Sequence, residues 1–156
     1  MDLKQIAVKK LEEKGVTIKE MAEMVLELQL KYNPSLSLEV CQDAIENVMG
    51  KREVIHAVLT GIAIDNAVEK GLLDEEISEI IKKDEPLYGL DEILALSIVN
   101  IYGSIALTNF GYLDKLKPGL IGRIDQLGKH KNGCSTYLDD IVSAIIAAAV
   151  SRIAHK

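Results

Sequence analysis

Residues 137–155 read YLDDIVSAIIAAAVSRIAH, and this stretch decides the fold. Between Ile141 and Val150 only Ser143 interrupts the apolar residues, so a helix here is apolar on nearly every side and needs other helices around it. The run is well short of the ~20 residues that a membrane-spanning helix requires. The spacing predicts a final helix starting around Tyr137 to Asp140, near the centre of a bundle.

Outward from that helix, apolar residues recur at intervals of three and four, and alternating strand patterns are absent. The expected fold class is all-α, one domain over residues 1–156 built as a bundle of about six to eight helices. A first helix is predicted from about Asp2 to Lys14, with Leu3, Ile6, Ala7 and Leu11 on one face and Gly15 as its stop. Thr17 and Glu20 have capping-box spacing for a second, which ends before Asn33-Pro34. Ser37 caps a third helix to about Met49, residues 52–70 form a fourth closed by Gly71, and Asp74 opens a short fifth. After Pro86 and Gly89, helix is expected over Leu90 to Asn100, with Gly103 and Gly111 as points of bending or close packing. Asp114 reads as opening another element, to about Leu127, and GKHKNG at residues 128–133 as a mobile polar loop.

Composition excludes several function classes. Hydrophobic residues make up 48%, enough for a full core, and aromatics only 4%, so that core is aliphatic. A formal net charge of -6 provides no field to attract a polyanion, which argues against nucleic acid as a partner. Cys41 and Cys134 are far apart, with no C-x-x-C and no Cys/His cluster, so neither a disulfide framework nor a zinc site is expected. The opening residues MDLKQIAVKKLEEKG carry charge throughout and lack a signal-peptide core. A cytoplasmic protein with no transmembrane segment is expected, and peripheral contact with a membrane is left open.

Three acidic knots stand where apolar stretches begin or end: Asp91-Glu92, Asp114 followed by Lys115 and Lys117-Pro118, and Asp139-Asp140. Each has an ordinary structural explanation. The two acidic pairs suit first helical turns, where the dipole favours carboxylates, and Thr136 with Asp139 has the spacing of a cap. Asp114 also reads as a cap, with its lysines solvated. One carboxylate is enough for a cap, however, and adjacent helical residues diverge by ~100°, so the second acid of a pair points elsewhere. Taken together, several hard carboxylates without a Cys/His cluster are a donor set for Mg²⁺, with Mn²⁺ as an alternative. The neighbouring lysines supply cations for phosphate oxygens, and the combination describes a metal-assisted phosphoryl site. Elsewhere Asp84-Glu85 reads as a loop-end pair, Glu75 to Glu79 as a solvated helix face, His56 as a core histidine and both cysteines as packing residues.

The same residues carry a resemblance. DEILA from Asp91, DKLKP from Asp114 to Pro118 and LDDIVSA from Leu138 to Ala144 follow the order of three motifs of the phosphatidylglycerophosphatase A family. Over nearly its whole length the chain resembles that family's soluble, YutG-like branch, also labelled low temperature requirement C protein. The resemblance implies Mg²⁺-dependent dephosphorylation of phosphatidylglycerophosphate to phosphatidylglycerol, a step of phospholipid metabolism. By position it makes Asp91, Glu92, Asp114, Asp139 and Asp140 the catalytic metal ligands or water-positioning groups. Lys117, with Lys115 beside it, becomes the phosphate-binding cation. Tyr88, Asn100 and Asn109 are candidates for orienting the carboxylates by hydrogen bonds.

The chain departs from the enzyme branch at Ala95 and Ser143-Ala144, where that branch resembles D-E-x-x-G and D-D-x-x-A-G. The enzyme branch's glycine-rich N-terminal segment and apolar membrane segments are not evident, so a soluble phosphomonoester is an alternative substrate. A second functional class is a non-catalytic helical oligomer with a metal- or phosphate-binding regulatory pocket. In either class, aliphatic helix faces beyond one core favour a homo-oligomer. The nucleotide pyrophosphohydrolases, which need E-x-x-E followed by E-x-x-D, fit poorly: Glu76 and Glu79 supply the first half and no convincing second follows.

Overall fold

Short-range chemistry sets the first helix ends. Asp2 accepts the Gln5 backbone N–H at 2.8 Å, while the Gln5 side chain accepts the Asp2 backbone N–H at 2.9 Å. Thr17 and Glu20 form the same reciprocal pair, and Ser37 Oγ accepts the Val40 N–H at 3.2 Å. These caps open α1 (Leu3–Glu13), α2 (Ile18–Gln29) and α3 (Leu38–Met49). The remaining helices are α4 (Arg52–Glu69), α5 (Glu75–Lys83), α6 (Leu90–Tyr102), α7 (Ser104–Leu116), α8 (Leu120–Gly128) and α9 (Thr136–Ala154). The structure is a computed structural model and describes residues 1–155.

Helix α9 lies where its composition demands. Every residue from Thr136 to Ser151 is buried, and α2, α3, α4, α6, α7 and α8 all pack on it. The core around it is aliphatic, with Phe110 the one buried phenylalanine. Helices α6 and α7 form a hairpin along α9, turning at Gly103 with φ +93°, a conformation open to glycine. At that end the Ser151 hydroxyl donates to the Tyr102 carbonyl at 3.1 Å. The hairpin therefore returns the start of α6 and the end of α7 to the start of α9.

Nine helices, rather than about six to eight, are present among the described residues. The difference lies in residues 104–128, where Lys117-Pro118-Gly119 divides two helices. Proline disfavours helical backbone in the residue before it. Lys117 accordingly turns left-handed at φ +48°, and Gly119 follows at +52°. Asp114 thus occupies the last turn of α7 instead of opening an element, and Gly111 leaves that helix unbroken. His56 is exposed on α4 and is not a core histidine. The 128–133 segment is tied down: the Lys82 ammonium donates to the carbonyls of Gly128 at 2.8 Å, His130 at 2.5 Å and Gly133. No helix among the described residues is long and apolar enough to cross a membrane.

Gly61 lets α4 approach the beginning of α9. A Cβ there would lie 2.0 Å from Ile141 Cδ1 and 3.3 Å from Tyr137 Cβ. Gly61→Ala is expected to cost about 1–3 kcal/mol by overpacking, measured by denaturant unfolding. Unchanged stability would mean that Ile141 has free space to turn into.

Candidate functional site

The site is built where three helix ends meet. Asp91 and Glu92 stand in the first turn of α6, Asp114 in the last turn of α7, and Asp139 and Asp140 in the beginning of α9. Asp91, Asp139 and Asp140 are buried, at 5%, 2% and 3% exposure. The carboxyl groups of Asp114, Asp139 and Asp91 lie near enough to Asp140 to act on its charge. Lys117 closes the other side, its Nζ 3.1 Å from Asp139 Oδ2 and 3.6 Å from Asp114 Oδ1.

The electrostatics follow from burial of like charges. Burial pushes the Asp140 carboxyl far up, and the nearby Asp114, Asp139 and Asp91 add to it. Asp139 is also raised by burial, with the Lys117 ammonium pulling the other way. Burial alone would lower the pKa of Lys117, but Asp139, Asp114 and Asp140 together outweigh it and hold the pKa above the usual lysine value. Glu92, at the rim, is raised by partial burial and then by Asp114, Asp91 and Asp84.

Helix α9 carries its acids without a local cap. Ser135, at the N-cap position, donates its hydroxyl to the Ile124 carbonyl at 2.9 Å, and Thr136 donates to the Ile81 carbonyl at 2.5 Å. Thr136 is therefore not the cap. That role belongs to Asp65 of α4, fully buried, whose carboxylate accepts the N–H groups of Tyr137 at 3.1 Å and Leu138 at 2.9 Å. The Cys134 thiol donates to the same carboxylate at 3.4 Å, and the Cys134 N–H donates to Glu69 at 2.7 Å. Desolvation raises Asp65 to about 7, with the N–H donors of Tyr137 and Leu138 opposing.

The sequence profile of the family described as "Phosphatidylglycerophosphatase A" matches residues 8–155. The chain belongs to the phosphatidylglycerophosphatase A family. Among members, it is 56% identical to the uncharacterized protein YpjQ of Bacillus subtilis over 93% of this chain and 80% of that one. It is 49% identical to the uncharacterized protein YutG of the same organism, over 94% and 87%. The crystal structure of low temperature requirement C protein from Listeria monocytogenes is similar at a TM-score of 0.92 and 53% identity, covering 99% of this chain and 96% of that one.

In this phosphatidylglycerophosphatase A family member, the five acids named from the sequence gather at one end of the bundle, and Lys117 faces them. The other sequence candidates do not. Lys115 and Asn100 are exposed, Asn109 donates to the Ile105 carbonyl of its own helix at 2.9 Å, and Tyr88 is hydrogen-bonded to the Tyr137 hydroxyl. Two acids join that were read otherwise or passed over. Asp84, read as a loop-end residue, has its pKa raised by partial burial and then by Asp91, while Lys117 opposes. Asp125 of α8 contributes charge to both Asp84 and Asp139. Asp84 and Lys117 are also the only non-glycine residues with positive φ among those described, so the strained backbone is confined to this site. Neither feature has a local sequence signal. Asp65 had one: it continues the buried α4 stripe of Val54, Val58 and Gly61.

Among the described residues, no three His, Cys, Asp or Glu side chains already surround a common metal position. Asp91 and Asp114 both act on the buried Asp140 carboxyl, an arrangement that favours either bound protons or a cation. Their donors are oxygens alone, of the kind that hard divalent cations take.

Proposed function

We propose that the protein is a Mg²⁺-dependent phosphomonoester hydrolase, with Mn²⁺ as an alternative metal. The observation that carries this reading is the gathering of Asp91, Asp114 and Asp140 beside Lys117 at one end of the bundle. The family's description supports phosphatidylglycerophosphate as the substrate, and a soluble phosphomonoester is its competitor.

Asp91, Asp114 and Asp140 would hold the cation, with Glu92 and Asp84 at the rim. When bound, Mg²⁺ neutralises phosphate charge and lowers the pKa of a bound water. Lys117 then binds a phosphate oxygen as the substrate displaces its contact with Asp114, and the 3.1 Å pair with buried Asp139 keeps the ammonium charged and aimed. Asp139 acts through Lys117, as a positioning residue. The strained Lys117 backbone and Pro118 fix the point from which the lysine reaches in.

The test is a titration with Mg²⁺ followed by thermal unfolding and phosphate release, using phosphatidylglycerophosphate and a panel of soluble phosphomonoesters. At saturating Mg²⁺ the melting temperature is expected to rise on the order of 5 °C. No shift and no release of phosphate would sink the reading. Binding without turnover on any ester would favour a regulatory pocket, a reading for which Lys117 already paired with two acids speaks.

Lys117→Ala should raise KM about tenfold or more with only a small change in melting temperature. Asp139 answers the loss by taking up a proton, because burial already favours its neutral form. A stability loss as large as the kinetic one would make Lys117 a structural residue.

A further inference from the structure

From Ile93 to Gly111 the sequence ILALSIVNIYGSIALTNFG contains no Asp, Glu, Lys or Arg, in a chain where charged residues are 27% of the total. Burial accounts for the inward side, where Ala95, Ile98, Val99, Ala106 and Phe110 enter the core. The side turned away exposes Ile93, Ser97, Ile101, Ser104, Leu107 and Gly111. Ile93 is 62% and Leu107 54% exposed. Most exposed positions of the first three helices are charged instead, among them Lys9, Glu12, Glu23, Glu27, Glu39 and Asp43, although Leu3 and Val40 are exposed too. A neutral face of this extent with bulky aliphatic side chains exposed on it, formed by two adjacent helices, is characteristic of a surface that another molecule covers.

The chemistry of the face selects among occupants. A bilayer fits poorly, because Asn100, Ser104 and Thr108 are interleaved with the aliphatic side chains and would have no partners in hydrocarbon, although the Ser97 hydroxyl already donates to the Leu94 carbonyl at 2.5 Å. A second copy of the same face fits well. Bulky Ile93, Ile101 and Leu107 stand beside small Ser97, Ser104 and Gly111, and a Cβ placed on Gly111 would meet nothing within 4 Å. One face therefore offers both ridges and grooves, as two-fold pairing of identical surfaces demands. Two chains of net charge -6 repel each other, and a neutral contact lets them meet without opposing like charges. Helices of 13 residues are ~20 Å long, so the pair presents roughly 400 Å² in projection. With side-chain relief and exposed Leu90 and Leu116 at its edge, this approaches the ~800 Å² per partner of a standard interface.

We propose that the outer face of the α6–α7 hairpin is the interface of a homodimer, each copy placing this hairpin against that of its partner. The helices that hold the acidic site on their inner side then hold the second copy on their outer side.

Sedimentation equilibrium of the full chain is expected to give a concentration-dependent mass that reaches twice that of one chain. Ile93→Glu combined with Leu107→Glu should raise the dissociation constant at least ~100-fold with helicity by circular dichroism unchanged. Leu72→Glu, at an exposed leucine between α4 and α5, should leave the dimer intact. Should the double variant lose helicity, Ser97→Cys and Ser104→Cys provide a second test, since Cys41 and Cys134 are buried. Mild oxidation should then cross-link two copies through at least one of the new thiols. A monomer at every concentration, a dimer indifferent to the double substitution or disrupted by Leu72→Glu, or failure of both thiols to cross-link would overturn the proposal. So would flotation of the monomer with anionic vesicles, lost on Leu107→Glu, which would assign the face to a bilayer.

Discussion

Asp140→Asn is expected to lower phosphate release by about 10²–10³-fold while leaving the metal-free protein as stable as before, or more so. The two effects have one cause. Asp140 is buried, and its pKa is raised by that burial and then by Asp114, Asp139 and Asp91 nearby. Without a cation, burial and the neighbouring acids favour its neutral form, and asparagine has nearly the same shape and no charge. The substitution therefore removes little from the folded state, but it removes a negative oxygen from the proposed ligand set. The Mg²⁺-dependent rise in melting temperature should shrink in parallel with activity. Asp140→Asn that unfolds the metal-free protein would make the acid structural, and a variant with full activity would remove it from the reaction.

Asp65→Ala should be the most destabilising single change at this end of the molecule, costing about 3 kcal/mol or more. It strips the two N–H groups of Tyr137 and Leu138 of their acceptor at the start of the buried central helix, where water cannot replace it. The pH dependence of Asp65 itself is a separate signature. Its folded pKa of about 7 lies above the ~3.9 of an unfolded aspartate, so the folded state binds the proton more tightly. The resulting stabilisation is fully present below about pH 4 and is lost as pH rises through 7, an effect of at most about 4 kcal/mol. Asp139, Asp140, Glu92 and Asp84 are raised in the same direction, so metal-free wild type should melt lower at pH 8 than at pH 5. Asp65→Asn should flatten part of that slope. An Asp65→Ala protein with unchanged unfolding free energy would show that water or another group caps α9.

Which residues touch was only partly legible beforehand. The motif acids were found because each stands at a junction between an apolar helix and its surroundings, where composition changes within one or two residues. Lys115 was named with Lys117 because they are neighbours in sequence, but the left-handed turn at Lys117 sends only that side chain toward Asp139. Asn100 sits on the neutral exposed face of α6, where helical phase rather than residue type decides what it meets. Asp84 stands exposed at the end of α5, as its Asp-Glu-Pro context suggests, and its charge reaches Asp91 by way of a positive φ that sequence spacing does not announce.

By itself the sequence determined the all-helical class, the early caps at Thr17 and Ser37, the central place of residues 136–154 and the family, because those depend on local hydrogen bonding, apolar periodicity and motif order. Only the tertiary structure decided that Asp65 of α4 caps α9, that Asp84 and Asp125 join the motif acids, that Lys82 ties down residues 128–133, and that a neutral helical face is left exposed. Those features arise from contacts between residues far apart in the chain, and helix packing sets their geometry. Sequence spacing within one helix carries no record of it.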